Sequence, residues 1–339
     1  MTLARPSPLK FLMPGWFSLV MGLTGLALAW HAAAPALGEM ATGGALVLAG
    51  LGLAVFAALA AASLWRWQRH PEALAEDLKH PVRHAFVAAV PVSLLLLATA
   101  AHALGLTGAV VQAVWWAGSG LQLWATLWVL GRWLSPQAQA SSSAQAGALW
   151  PGVTPLLFIP VVGNVVAPLA GVGLGHGGWS AAQFGIGVCF WPVVLGLVLV
   201  RRLAHSPLPE RLLPTWAIAV APPSVVGLGL LAFQASTPVV QACWGAALFT
   251  LLWVGAQGKR MVAQPFGLTF WALSFPLAAF TTLTLKLAAL QNSAAQQTLG
   301  LLLLAITSLV VVGLALATLR GLRDGTLLAP EPVAQITPV

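Results

Sequence analysis

Acidic side chains are scarce in this 339-residue chain: seven Asp and Glu stand against fifteen Lys and Arg. None of the seven lies inside a long apolar run. Proton-coupled pumps rely on carboxylate or histidine relays at membrane depth, and cation pathways on acidic rings. The chain lacks both signs. Charged residues make up 6% of the sequence, where a soluble protein of this size carries roughly 25%. A separate soluble domain is therefore excluded. The two cysteines, Cys189 and Cys243, both sit in apolar runs, which leaves no basis for a disulfide framework or a thiolate metal site. Tyrosine is absent and alanine and leucine abound, the bias of a GC-rich bacterial genome.

What is present is a series of ten apolar windows, at 11–31, 43–65, 85–105, 108–131, 153–173, 179–200, 212–233, 238–256, 267–290 and 297–319. Each holds about 20 helical residues, enough for ~30 Å of hydrocarbon. The cations mark a topology. Fourteen of the fifteen Lys and Arg precede the first window or follow an even one. The positive-inside bias makes that side cytoplasmic, with both termini inside. The exception is Lys286, late in the ninth window. It has two readings: a side chain snorkelling to the interface, or an outer attractor of anions. The net charge of +8 is spread over short loops beside apolar windows, which points to lipid head groups as partners and not to nucleic acid. The first apolar run has no small-residue cleavage site after it and is read as a retained span.

The repeating unit is a hairpin of an odd span, a short outer loop, an even span and a basic inner loop. Five such units fill residues 1–323 as one domain, and 324–339 form a tail expected to be disordered. The Ser/Ala/Gln-rich stretch 134–149 is expected to be a flexible linker. Residues 70–80, which hold Glu72, Glu76 and Asp77 among cations, predict a short surface helix with local ion pairs.

Proline separates the spans into two sets. Odd windows contain Pro14, Pro91, Pro155, Pro160, Pro168, Pro214, Pro222, Pro223 and Pro276; even ones hold Pro192 inside and Pro238 at a start. Each proline removes a donor and frees a carbonyl one turn earlier. Such groups are tolerated at depth where they are buried in protein or line a water-filled cavity. The odd windows also carry Ser18, Thr24, Ser93, Thr99, Thr154, Asn164, Ser224, Ser274, Thr281 and Thr282. For any one hydroxyl, a bond to its own helix backbone is the ordinary role. The expected fold is thus an all-α polytopic membrane protein. Its ten transmembrane helices form five helical hairpins, with odd helices lining a central pore and even helices forming an outer layer.

No catalytic cluster is visible, and no cofactor is implied. His80 and His84 have metal-pair spacing but no third ligand, so no metal site is expected. A path of hydroxyls, freed backbone and apolar side chains suits small anions held weakly, since an ion that conducts must leave as readily as it enters.

Several segments carry a resemblance: MPGWFSLVMGLTGLALAW (13–30), HPVRHAF (80–86), TPLLFIPVVGNVVAPLAG (154–171), LPTWAIAVAPPSVVG (213–227) and PFGLTFWALSFPLAAFTTLTLKLA (265–288). In order and position they resemble the tellurite-resistance/dicarboxylate transporter family, which includes slow-type anion channels of plant guard cells. The resemblance implies a pore within each protomer, a homotrimer in the bacterial inner membrane, and a phenylalanine in the ninth helix that plugs the pore. The matching position is Phe275, eight residues into its window, or about 12 Å deep, and followed by Pro276. Candidate pore-lining or kink positions are Pro14, Gly15, Ser18, Gly22, Pro91, Pro160, Asn164, Pro222, Pro223, Ser224 and Thr281. The expected function is passive passage of small inorganic or organic anions. The alternatives are a proton-coupled exporter of sulfite or four-carbon dicarboxylates, a tellurite-resistance permease, and a non-transporting membrane scaffold or enzyme.

Overall fold

The computed structural model of the protein describes residues 8–134, 150–205 and 207–329. Arg5, linker residues 135–149 and tail residues 330–339 lie outside the described residues. Asp324, Gly325, Leu327 and Leu328 lie in turns, and Thr326 donates its N–H to the Gly321 carbonyl at 3.0 Å.

The described chain is helical throughout. Its long segments are α1 Pro14–Ala32, α2 Glu39–Arg69, α3 Arg83–Ala103, α4 Ala109–Trp133, α5 Pro155–Gly171, α6 Gly177–Ala204, α7 Glu210–Ala232, α8 Thr237–Gly255, α9 Leu268–Gln291 and α10 Ala294–Arg323. Among the described residues, eight of these are long and apolar enough to cross a membrane. The other two are α4 and α5. In α4, Gln112, Gln122 and five tryptophans dilute the apolarity. Only 17 residues make up α5, too few for the ~20 a bilayer core needs.

The two sets differ inside. Four of the odd segments start as 3-10 helix and become α partway: at Ser18 in α1, Ala89 in α3, Ala221 in α7 and Ser274 in α9. The fifth, α5, is broken throughout, with a π-helical turn at Phe158–Val162 between two 3-10 turns. The even segments are continuous α-helix, and Pro192 leaves α6 unbroken. Pro91, Pro222, Pro223 and Pro276 lie in the first three residues of their α portions, where a missing donor does least harm. Hydroxyls take up carbonyls at the same breaks. Ser18 Oγ donates to Gly15 O at 2.7 Å, Ser224 Oγ to Val220 O at 2.7 Å and Ser274 Oγ to Trp271 O at 2.6 Å. Ser93 Oγ donates to Ala89 O at 2.7 Å and also reaches Phe17 O at 3.2 Å.

Packing follows the same division. Within the apolar stretches of α1, α3, α7 and α9, 72–83% of residues are buried; for α2, α6, α8 and α10 the share is 11–33%. Each odd segment packs on the next odd one, and α9 returns to α1, so the five close a ring. Each also packs on the even segment that follows it. The ring is tight where α1 meets α9: a Cβ at Gly22 would collide with Ser274 Oγ. Only a glycine admits that approach.

The stretch after α2 does form a helix, Pro71–Lys79, but its central ion pairs are not local. Asp77 is buried and bridges Arg66 Nη2 at 2.7 Å and Arg83 Nη1 at 2.9 Å. A carboxylate withdrawn from water needs full compensation, and two guanidinium groups supply it.

Candidate functional site

Two cavities lie inside the ring of odd segments. The first, about 40 Å³, is walled by Ser18 and Met21 of α1, Phe86 of α3, Leu156 and Ile159 of α5, and Ile218 of α7. Residues of α9 from Leu268 to Pro276 complete it. The second, about 10 Å³, is walled by Gly25 and Leu28 of α1, Leu96 of α3, Leu169 of α5, Val225 and Leu228 of α7, and Ala279 and Thr282 of α9. All five odd segments contribute to both, and no even segment contributes to either.

Phe275 lines both cavities. It is the second residue of the α portion of α9, just before Pro276, so the 3-10 to α transition sets the direction of its ring. Gly25 of α1 lies opposite. A Cβ there would stand 3.0 Å from Phe275 Cδ2, so the missing side chain makes room for the ring. The second cavity is about the volume one water needs, and its walls are apolar apart from Thr282. Thr282 Oγ1 is itself bonded to Ala278 O at 2.8 Å. A hydrated ion does not fit past such a segment, and narrow apolar segments dewet.

The candidate residues divide by position. Ser18, Phe275 and Pro276 line the first cavity. Gly15 packs against Phe86 and Leu268, two of its wall residues. Pro14 opens α1, while Pro91, Pro222, Pro223 and Ser224 are buried at the breaks in α3 and α7. Pro160 sits in the π-turn of α5. Two side chains turn toward the outer layer. Asn164 Nδ2 donates to Thr126 Oγ1 of α4 at 2.7 Å, and its Oδ1 accepts from Gln183 Nε2 of α6 at 3.3 Å. Thr281 meets Thr307 of α10 at 3.1 Å.

Sequence reasoning passed over Gly25 and the polar face of α4. That face braces the broken segment. Gln122 Nε2 donates to the carbonyls of Ile159 and Pro160, each at 3.0 Å, and Thr126 Oγ1 to Pro160 O at 2.6 Å. Trp115 Nε1 donates to Ala167 O at 3.0 Å. The spacing 115, 119, 122, 126 was the available signal: one helical face. The histidine pair has a local role, since His80 Nδ1 accepts from the N–H groups of Val82 and Arg83, both at 3.1 Å. Among the described residues no group of three or more His, Cys, Asp or Glu is placed to hold a metal.

The sequence profile of the voltage-dependent anion channel family matches residues 12–319. The chain belongs to that family. It is 26% identical over 309 residues to an uncharacterised transporter of Methanocaldococcus jannaschii, covering 80% of this chain and 82% of the archaeal protein. A tellurite resistance protein TehA homolog of Haemophilus influenzae is 23% identical over 82% of this chain and 81% of its own length. The S-type anion channel SLAH3 of Arabidopsis thaliana is 26% identical over 73% of this chain, but only 38% of the plant protein is covered. The family consists of anion channels and transporters, and the apolar helices of this chain are those of a multi-pass member of it.

Proposed function

We propose that this chain crosses a bacterial inner membrane ten times, with both termini cytoplasmic, and passes small anions through the ring of odd helices. Phe275 acts as the gate. One observation carries the reading: two cavities are each walled by all five odd segments, and Phe275 lines both. Removing that ring would join the cavities. The chemistry of the walls suits weakly held anions, because no carboxylate lies on them and the polar groups are hydroxyls and an indole. The membrane potential supplies the drive: about 2.3 kcal/mol per charge per 100 mV, favouring anion exit when the inside is negative. α4 and α5 are the two spans that length and apolarity alone do not secure. The polar face of α4 is spent on the carbonyls of α5, which supports reading both as spans whose polar groups are satisfied within protein. Homotrimeric assembly through the exposed even-helix faces is part of the proposal.

Reversal potentials of the reconstituted protein in planar bilayers test this. The Phe275→Ala protein is expected to fold, because its ring already adjoins two cavities, and to show anion current well above the native level. A reversal potential that follows the anion gradient supports passive passage. One that moves with a proton gradient at fixed anion supports the proton-coupled exporter instead. Folded Phe275→Ala protein with unchanged current would remove Phe275 as the gate.

A further inference from the structure

Beyond the 3-10 turn and Pro276, the α9 residues that reach the cavities fall on one stripe: Phe275, Ala279 and Thr282. The next position on that stripe is Lys286. Eleven residues at ~100° each bring it back to within about 20° of Phe275, roughly 16 Å further along the axis. Between 281 and 288, every other residue is buried and Lys286 alone is exposed.

The remaining sides of α9 are occupied. Thr281 meets Thr307 of α10, and Thr284 accepts from Trp244 Nε1 of α8 at 3.0 Å. Leu285 packs with Leu26 and Leu304 of α1 and α10, and Leu283 and Leu287 pack with Leu228 of α7. A lipid-facing lysine would have exposed neighbours one turn before it; Thr282 and Leu283 are both buried. Lys286 itself is exposed. His31, at the same end of α1, lies within electrostatic reach. Among the described residues, no carboxylate lies within 4.0 Å of the lysine.

We propose that the Lys286 ammonium stands in the outer mouth of the anion path, where it concentrates small anions and repels cations. This rests on the proposed conduction path. It assigns the outer end a cation of its own, whereas three arginines at the opposite end are bound to backbone carbonyls: Arg66 to Lys10 O at 3.0 Å, Arg132 to Leu78 O, and Arg201 to Val153 O at 2.7 Å. A charge at a pore mouth acts through local concentration and is screened by salt.

The experiment adds Lys286→Gln, Lys286→Arg and Lys286→Glu to the Phe275→Ala protein and measures anion current at low and at high external salt. Lys286→Gln is expected to lower inward-moving anion flux by roughly tenfold at about 20 mM salt and by less than about twofold at about 1 M. Lys286→Arg should retain the native flux, and Lys286→Glu should shift the reversal potential in a salt gradient toward cations. Unchanged flux in Lys286→Gln at low salt, or an equal loss at both salts, overturns the proposal. A second measurement is independent of transport. Lys286→Cys, in protein carrying Cys189→Ser and Cys243→Ser, is treated from outside with a membrane-impermeant thiol reagent. Labelling supports the mouth position and its absence overturns it. If the Phe275→Ala protein passes no anion, the conduction reading fails on its own, and the labelling result alone decides where Lys286 faces.

Discussion

At the residue scale the decisive pair is Gly25 and Phe275. The ring occupies the place where a side chain at Gly25 would stand, since a Cβ at that position would meet Cδ2 at 3.0 Å. Gly25→Val therefore forces the ring to move. Overpacking of this kind costs roughly 1–3 kcal/mol, and under the proposed gating a displaced ring no longer separates the two cavities. The Gly25→Val protein should melt earlier in detergent and leak anions. In the double variant with Phe275→Ala the thermal loss should largely disappear, because the clash is gone. Additive losses in the double variant would show that the two side chains do not compete for the same space. The sequence alone could not reveal this pair, because nothing in chain order links a glycine of α1 to a phenylalanine of α9.

At the element scale the contrast is between a broken α5 and the helix that braces it. Gln122→Leu keeps the approximate volume and removes the donor to the Ile159 and Pro160 carbonyls. Leaving buried carbonyls short of a donor costs about 1–3 kcal/mol each. Thr126 still serves Pro160, so the loss should fall near the lower figure for one group, read as an earlier melt with anion selectivity altered through Ile159. An unchanged melting curve would mean the brace is dispensable. Much of the layering was legible beforehand: prolines and hydroxyls crowd the odd windows, and the odd segments are the ones that break and are buried. The brace was hidden because an average over a window counts Gln122 and Trp115 as lost apolarity. Their meaning appears only when α5 shows which carbonyls need donors. Asn164 was singled out for the right segment, but the face it presents was not readable, since a π-turn shifts the phase of everything after it.

At the scale of the whole molecule, charge asymmetry predicts an orientation, and Asp77 ties two of the cations behind it together. Asp77→Asn removes the charge between Arg66 and Arg83. Breaking a buried pair of this kind costs roughly 3–5 kcal/mol, and the partial exposure of Arg83 places the expected loss at the low end, as a lowered melting temperature in detergent. Loss of less than a degree would assign the bridge no structural weight. Single cysteines at 103–107 and 172–178 should label from outside the cell; labelling only from the cytoplasm would invert the orientation. The positions of the cations were readable in the chain, but their partners were not. Arg66, Arg132 and Arg201 looked like lipid contacts and instead hold carbonyls.

Those three carbonyl bonds also bear on biogenesis. Arg66 reaches back 56 residues to Lys10, Arg132 54 residues to Leu78, and Arg201 48 residues to Val153. In each case an even helix latches the stretch leading into the odd helix just before it. Such a latch can close as soon as its own pair has left the ribosome. The ring has no such independence, because it needs α9 to meet α1. Synthesis therefore delivers latched pairs one after another around an unfinished groove, and Phe275, which lines both cavities, arrives with the last pair. A nascent chain halted before α9 has its first three pairs latched and no Phe275 beside the space they surround.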